Sequence, residues 1–391
     1  MPASSDFFGQ RNAQAVLKHG VLTRYAYYFA GRAKPRHATH GLVAFIDGYA
    51  GEGRYEDGNP GSPLLLASQA KRADILGRNV KLAFIEQDDG RRQRLKVSLA
   101  ENGVVPDQLL GGDLEDVMDS LLDRYEHHAV LLFVDPFGLA VRRSTLERAL
   151  RRSSPRQPID VLYHFSLSSV ARMGRAGVLE GPGAELNAKK LDDALGPVGW
   201  RRDFEEAEGP QRPTAAAIEV AKRFGGSVRA ATGRRSTAVP VRQRPEQLPK
   251  RLLMLFTADE RAHWDFADHA AKAHVDWLLH CSAQDYQANL RRNESLGVLS
   301  LFEDAPPTVE DIEKRLQEDV SGYLPRHLSA LLESRGRVRP VEAVEDVYGE
   351  MLGRAGAKHV RAAIKALYAE GKTDDTGVGD FEMRQLRWTG T

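Results

Sequence analysis

Four acids in this sequence stand where an apolar run ends. Asp47 closes VAFID and opens the turn Asp47-Gly48-Tyr49-Ala50-Gly51-Glu52-Gly53. Glu86 closes VKLAFIE, Asp113 follows LLGG, and Asp135 closes AVLLFVD and leads into Pro136-Phe137-Gly138. Acids in such places accept hydrogen bonds from hydroxyls and amines. At the end of a second strand the usual donors are ribose hydroxyls, which suits Glu86. Asp113 is placed to meet an adenine amino group. Gly48, Gly51 and Gly53 allow positive φ and let a ligand lie against the main chain. Pro136 biases Asp135 towards an extended backbone, so a carboxylate and the ring of Phe137 are presented together.

The turn also discriminates between ligands. A Gly-x-Gly turn alone is weak evidence, because oxidoreductases share it. Here an acid begins the turn, and no third fingerprint glycine precedes the helix. Asp47 can pair with the ammonium of a methionine moiety, a cation that a pyrophosphate lacks. Glu52, inside the turn, would repel a pyrophosphate. A sulfonium nucleoside is therefore expected in preference to a nicotinamide dinucleotide.

These acids need elements to hold them. Short apolar runs at Val43–Asp47, Val80–Glu86, Ala129–Val134 and Ile159–Phe165 read as buried strands, and Leu109–Asp116 as a short third strand followed by a loop that carries Asp113. Helical patterns alternate with them: one after Pro60, with Ser62 as N-cap and Pro63 next, then Arg91–Asn102 and Ser144–Arg152. Alternation of this kind predicts a parallel, doubly wound α/β sheet. Runs at Ser236–Arg242 and Arg251–Thr257 predict a closing antiparallel pair at the sheet edge. Residues 1–42 carry a helix whose apolar face packs on that domain. Residues 167–235 read as irregular, with polar loops and short helices. His37, Thr39 and His40 read as loop residues. Lys18, His19, His164 and Arg172 could border a pocket, though spacing alone does not promote them.

At 391 residues the chain should hold two domains, or one with an appendage. The expected boundaries are a Rossmann-like domain over 1–295, a linker over 296–308 and a smaller domain over 309–391. In the last, three helical stretches (Val309–Val320, Leu324–Ser334 and Pro340–Met351) precede a helix at Ala357–Glu370 and a strand-like Phe381–Trp388. That order suggests a winged-helix α+β module, with Lys358, His359, Arg361 and Lys365 on its recognition helix.

Composition narrows the setting. The single cysteine, Cys281, excludes an intramolecular disulfide and a multi-cysteine metal site. No apolar run has the length of a membrane span or the form of a signal peptide, so a cytoplasmic protein without a membrane partner or metal is expected. The formal net charge is +1 overall. Locally, residues 142–156 hold six Arg against one Glu, and residues 222–251 hold nine Lys or Arg against one Glu. Such stretches can contact DNA or RNA phosphates, or can equally be solvated faces.

The linked motifs FIDGYAGEG, GSPLLLA, FIEQD and FVDPFG, with LKHGVLTRYAYYF and LDDALGPVGW beside them, resemble the three-Cys-motif partner (TcmP) family over roughly residues 10–280. That resemblance implies a class I methyltransferase-like fold, S-adenosylmethionine as cofactor, methyl transfer, and a separate radical-SAM-like partner carrying the cysteine motif. It implies cofactor contacts from Asp47, Gly48, Tyr49, Ala50, Gly51 and Gly53, with Asp47, Gly51 and Gly53 at the methionine end. Glu86 then holds the ribose, Asp113 the adenine, and Asp135, Pro136 and Phe137 face the acceptor. The DPF element is similar to the Asp-Pro-Pro-aromatic motif of amino-group methylases, with its second proline missing. The acceptor expected is a nucleic acid, a nucleotide or a small molecule. The competing reading is a non-catalytic nucleic-acid-binding or scaffold protein that keeps the fold.

Overall fold

A computed structural model describes residues 13–34, 38–178, 183–206, 212–296 and 307–390. The chain divides into two compact units, one holding residues 22–242 and 248–258, the other 12–21, 243–247 and 259–391. The long helix Glu260–Ser295 thus counts with the second unit, whereas the sequence expectation carried the first domain to 295. Most of the expected linker, 297–306, lies outside the described residues, as does His37.

The first unit is built on a seven-stranded sheet. Its strands are β1 (Leu42–Asp47), β2 (Asn79–Ile85), β3 (Gln108–Leu110), β4 (Ala129–Val134), β5 (Ile159–Phe165), β6 (Arg235–Val241) and β7 (Arg251–Thr257). Their order is β3-β2-β1-β4-β5-β7-β6. Strands β1 to β5 are parallel, and β7 runs antiparallel to both β5 and β6. Every residue of β4 and β5 is buried, which is why β4 is continuously apolar and β5 is apolar but for Asp160 and His164. This is an α/β, Rossmann-like sheet. The edge pair of the sequence reading is present, with β7 inserted between β5 and β6.

Order reversal between β1 and β4 creates the switch point at which open α/β sheets bind ligands, beyond the carboxyl ends of the strands. Helix α1 (Ala13–Arg32) packs its C-terminal half on this unit. There the Tyr25 hydroxyl donates to Asp160 Oδ2 at 2.7 Å, and Arg32 stands 3.5 Å from the same oxygen. Helix α2 (Ser62–Asp74) begins one residue earlier than expected in capping terms, with Gly61 as N-cap and Ser62 inside the helix. Helices α3 (Asp89–Glu101), α4 (Leu114–Arg124) and α5 (Arg143–Arg152) complete the βα units.

The described residues of 167–235 are mainly helical: the short helices of the sequence reading are present, with more helix and less loop than it expected. They form α6 (Leu167–Gly177), α7 (Ala184–Leu195), α8 (Trp200–Glu205) and α9 (Arg212–Thr232), with 179–182 and 207–211 outside the described residues. Their glycines misled because they serve packing. A Cβ on Gly174 would lie 2.3 Å from the Phe204 ring, and one on Gly177 would lie 2.9 Å from Trp200. Small residues here let α6 approach its neighbours.

The second unit holds α10 (Glu260–Ser295), α11 (Val309–Arg335), β8 (Arg337–Val338), α12 (Val344–Tyr348), α13 (Ala357–Ala369) and β9 (Leu386–Arg387). Where the sequence suggested two helices, α11 is one, and Pro325 lies inside it. Ile312, Leu316, Val320, Leu324, Leu328 and Leu332 form one buried stripe along it. Six such residues, at about 1.5–3 kcal/mol each, outweigh the roughly 3 kcal/mol cost of an interior proline. Pro340–Met351 is two short 3-10 turns flanking α12, not one helix. Phe381–Met383 is a 3-10 turn, so the expected terminal strand shrinks to β9, which pairs antiparallel with β8. An isolated antiparallel bridge also joins Thr373 to Trp388. Cys281 is buried, and burial pushes its thiol up to about 11. Among the described residues, no helix is long and apolar enough to cross a membrane.

Candidate functional site

The carboxyl ends of β1, β2, β3 and β4 meet at one place. The Gly48 N–H donates to Phe133 O at 2.9 Å and the Ala50 N–H to Ile85 O at 2.9 Å, so the turn after β1 is stitched to both neighbours. The Glu86 N–H reaches Leu110 O at 3.1 Å, adding the end of β3. A Cβ on Gly48 would lie 2.7 Å from Leu114 Cδ2, which brings the start of α4 against the turn. Gly48 is therefore required for packing.

Two carboxylates hold this turn from opposite ends. Asp47 is fully buried, and its Oδ1 accepts the Tyr49 N–H at 3.1 Å. Glu86 is 5% exposed, and its Oε2 accepts the Gly51 N–H at 2.9 Å. Its Oε1 accepts from the Asp88 N–H and from Arg91 Nε, both at 2.9 Å. A carboxylate has about four acceptor sites, so Oε2 keeps capacity for one hydroxyl. Gly51, at φ +65°, would carry a Cβ with no atom within 4 Å. Main chain is thus open to close approach at Gly51, the residue whose N–H Glu86 fixes.

The other expected cofactor residues divide. Gly53 has φ +82°, and a Cβ there would press on Leu95 and Ser98, so it is a packing glycine as well. Residues 54–60 fold out of the turn, because the Gly61 N–H returns to Gly53 O at 2.8 Å. The ring of Tyr49 packs on the sheet core, and its hydroxyl is buried without a hydrogen-bond partner. Burial, with Asp113, Tyr163 and Glu115 nearby, pushes that hydroxyl well above the usual tyrosine range. Only the main chain of Tyr49 is available to a ligand. Ala50 is buried. Asp113 is half-buried and caps α4, its Oδ1 accepting the Glu115 N–H at 2.9 Å. Glu52 departs from the sequence argument. It pairs with Arg94 at 2.7 Å, so its charge is met by a cation and no longer opposes a pyrophosphate. The preference against a dinucleotide then rests on Asp47.

Asp135 is joined to two residues that spacing did not promote. Its Oδ1 pairs with His164 Nδ1, and Arg251 Nη1 stands 4.0 Å from the same oxygen. Arg251 Nη1 also stands 3.4 Å from His164 Nδ1, so the three groups form one polar cluster. His164 is 2% exposed and lies near the carboxyl end of β5; Arg251 opens β7. A signal for them existed. Asp160 and His164 are the polar residues of an otherwise apolar buried strand, and a buried polar group demands a partner. Pro136 is buried, while Phe137 is 50% exposed, with the Arg91 guanidinium 5.8 Å from its ring centroid. Gly138, at φ +80°, turns the chain beside Ser169.

Beyond Phe137 lies a pocket of about 340 Å³ lined by Phe137–Ala140, Arg142, Ser169, Arg172, Met173 and Lys190, with Asp193 and Ala194. Arg172 thus borders a pocket, as its place in the sequence allowed. Lys18 and His19 are buried in the part of α1 that belongs to the second unit.

The Arg-rich stretches are largely committed. Arg142 pairs with Glu115, Arg143 and Arg151 with Glu147, Arg148 with Asp119, and Arg152 with Asp123. In the second stretch Lys222 pairs with Glu219, Arg223 with Asp203, and Arg244 with Asp285. On α13, His359 is buried, and its Nδ1 accepts the Gly356 N–H at 2.9 Å. Lys358 pairs with Glu313 at 3.2 Å, and Arg361 donates to Gly377 O while stacking 4.7 Å from the Phe381 ring. Of the four cations assigned to a recognition helix, Lys365 alone is exposed without an ion pair among the described residues. No group of three or more His, Cys, Asp or Glu among the described residues could hold a metal ion.

Fold and site together define an α/β protein with a Rossmann-like sheet and an acid-lined, glycine-rich turn at its switch point. No family model matches the sequence, and no curated protein matches it. Eighteen chains of solved structures do match. One, a Pyrococcus horikoshii protein called a "putative transferase", is 13% identical, with a TM-score of 0.26 over 60% of this chain and 63% of that one. This chain therefore spans less than two-thirds of that protein's length, and at that score the likeness has no bearing on activity.

Proposed function

We propose that the protein is an S-adenosylmethionine-dependent methyltransferase of the three-Cys-motif partner type. The observation that carries this is the convergence of Asp47 and Glu86 on a single turn, through the Tyr49 and Gly51 N–H groups. An acid at each end of the bend suits a ligand with an ammonium at one end and ribose hydroxyls near the other. Support also comes from the sheet order, in which an antiparallel β7 inserted between β5 and β6 departs from the 3-2-1-4-5-6 order of the dinucleotide fold. The open face of Gly51 gives the ligand room against the main chain.

When bound, the cofactor supplies a methyl carbon already activated on a sulfonium, so an acceptor lone pair displaces a neutral thioether without further activation. The residues of this chain then have three tasks. Asp47 and the 48–51 main chain hold the amino-acid end, while Glu86 Oε2 and Asp113 orient the nucleoside. Asp135 accepts a hydrogen bond from the acceptor and fixes it in line, the chief contribution of a protein to such a displacement. His164 and Arg251 hold the Asp135 carboxylate in place, where it can take the proton that the acceptor loses.

Calorimetric titration of S-adenosylmethionine and of NAD against the wild type and Asp47→Ala tests the reading. The sulfonium nucleoside should bind the wild type more tightly than NAD. A hydrogen bond to a charged group is worth roughly 1.5–3 kcal/mol, so the variant should bind about tenfold to a hundredfold more weakly. Failure of the wild type to bind it, or tighter binding of NAD, would remove the methyltransferase reading.

A further inference from the structure

The pocket beyond Phe137 carries a charge pattern that the methyl-transfer reading does not use. Its wall holds Arg142, Arg172 and Lys190 against one acid, Asp193. Arg142 is shared with Glu115 at 3.5 Å. Arg172 and Lys190 are exposed and make no ion pair among the described residues. This contrasts with the neighbouring α5, where Arg143, Arg148, Arg151 and Arg152 are all paired. Two uncommitted cations on the wall of a concave site form an anion-binding edge. Ser169, in the first turn of α6, lines the same pocket, at the positive end of that helix.

Opposite in character is Phe137, a half-exposed aromatic on the same pocket. Its ring offers a flat apolar surface to a planar group. The volume, about 340 Å³, is at the small end of the range for ligand sites, roughly 300–1,000 Å³. It suits one ring and one anionic group. A phosphate, at about −1.5 to −2 charge near neutrality, matches two cations better than a carboxylate does.

We infer that the acceptor is a nucleotide, its base lying on Phe137 and its phosphate held by Arg172 and Lys190. The inference rests on the proposed methyltransferase reading, in which Asp135 to Phe137 face the acceptor. Asp193 then limits affinity by repelling the phosphate. The nucleotide can be free or part of a strand, and the two sources are separable.

The test uses the full chain, saturated with S-adenosylhomocysteine so that the cofactor site cannot report. AMP, CMP, GMP and UMP are titrated calorimetrically beside their nucleosides and a tetrauridylate strand. At least one monophosphate should bind tenfold or more tightly than its nucleoside. Arg172→Gln/Lys190→Gln should erase that difference and leave nucleoside binding unchanged, while Asp193→Asn should tighten the monophosphate severalfold. Circular dichroism should show all variants folded. A strand that binds tenfold more tightly than UMP, and loses this in the double variant, identifies a strand as the source; equal affinities identify free nucleotide. The inference is overturned if no monophosphate outbinds its nucleoside, or if the double variant keeps the preference. Should S-adenosylhomocysteine fail to bind, the methyltransferase reading falls, and the same titrations without it still decide whether the pocket takes a nucleotide.

Discussion

The turn at residues 48–53 and helix α13 both present charged residues at a spacing that would suit a ligand, and they use them differently. Around the turn, Asp47 grips the Tyr49 N–H and Glu86 the N–H of Gly51, where an added Cβ would meet no atom within 4 Å. Their charge fixes the turn and leaves the space beside Gly51 open. On α13, His359 caps its own helix, Lys358 meets Glu313, and Arg361 ties the helix to Gly377 and Phe381. There the charge closes the unit on itself. A polar residue at a suggestive spacing is thus informative only once its partner is known.

The sharpest break in this comparison should come from Glu86→Ala. Removing one partner of a buried charged network costs about 3–5 kcal/mol, because Arg91 and two N–H groups lose their acceptor. Urea unfolding should show a loss of that order, with cofactor binding abolished. Gly51→Ala separates cradle from fold. A left-handed backbone costs a non-glycine residue about 1–2 kcal/mol, so stability should fall by that amount. Cofactor affinity should fall further, since the new Cβ would enter the space the ligand needs.

In the second unit the order reverses. Arg361→Gln should cost about 1 kcal/mol of stability and leave cofactor titrations unchanged. Lys365→Gln should alter stability by less than about 0.5 kcal/mol. If instead Lys365→Gln abolished a salt-dependent shift of labelled DNA while Arg361→Gln did nothing, α13 would be a reading helix after all.

The smallest effect is a pH dependence. Burial holds His359 below the usual histidine range, with Lys358 adding to the depression. The unfolded chain then binds the proton more readily than the folded one. Stability should be complete above the ordinary histidine pKa and decline as pH falls through it towards the depressed folded value. His359→Gln keeps an acceptor for the Gly356 N–H and removes the proton. The decline in urea midpoint between pH 7 and 5 should become shallower in that variant.

Much of the sheet was legible because strands buried on both faces are apolar runs: β4 is one throughout, β1 and the second half of β2 are nearly so, and β5 is interrupted only by Asp160 and His164. The carboxylates at their ends were legible for the same reason, since topology alone brings strand ends together. What failed depended on side chains far apart in sequence. Gly174 and Gly177 look like loop residues until Phe204 and Trp200 are seen against them. Glu52 looks like a barrier to phosphate until Arg94 answers it. Pro325 looks like a break until the stripe from Ile312 to Leu332 shows what continuity stabilises. His164 and Arg251 acquire meaning only beside Asp135.

A crystal structure with S-adenosylhomocysteine bound tests the central claim most directly. The ligand's amino group should lie within hydrogen-bonding reach of the Asp47 end of the turn, with a ribose hydroxyl on Glu86 Oε2 and the sulfur directed towards Asp135. A ligand bound elsewhere, or a ribose turned away from Glu86, would contradict the account.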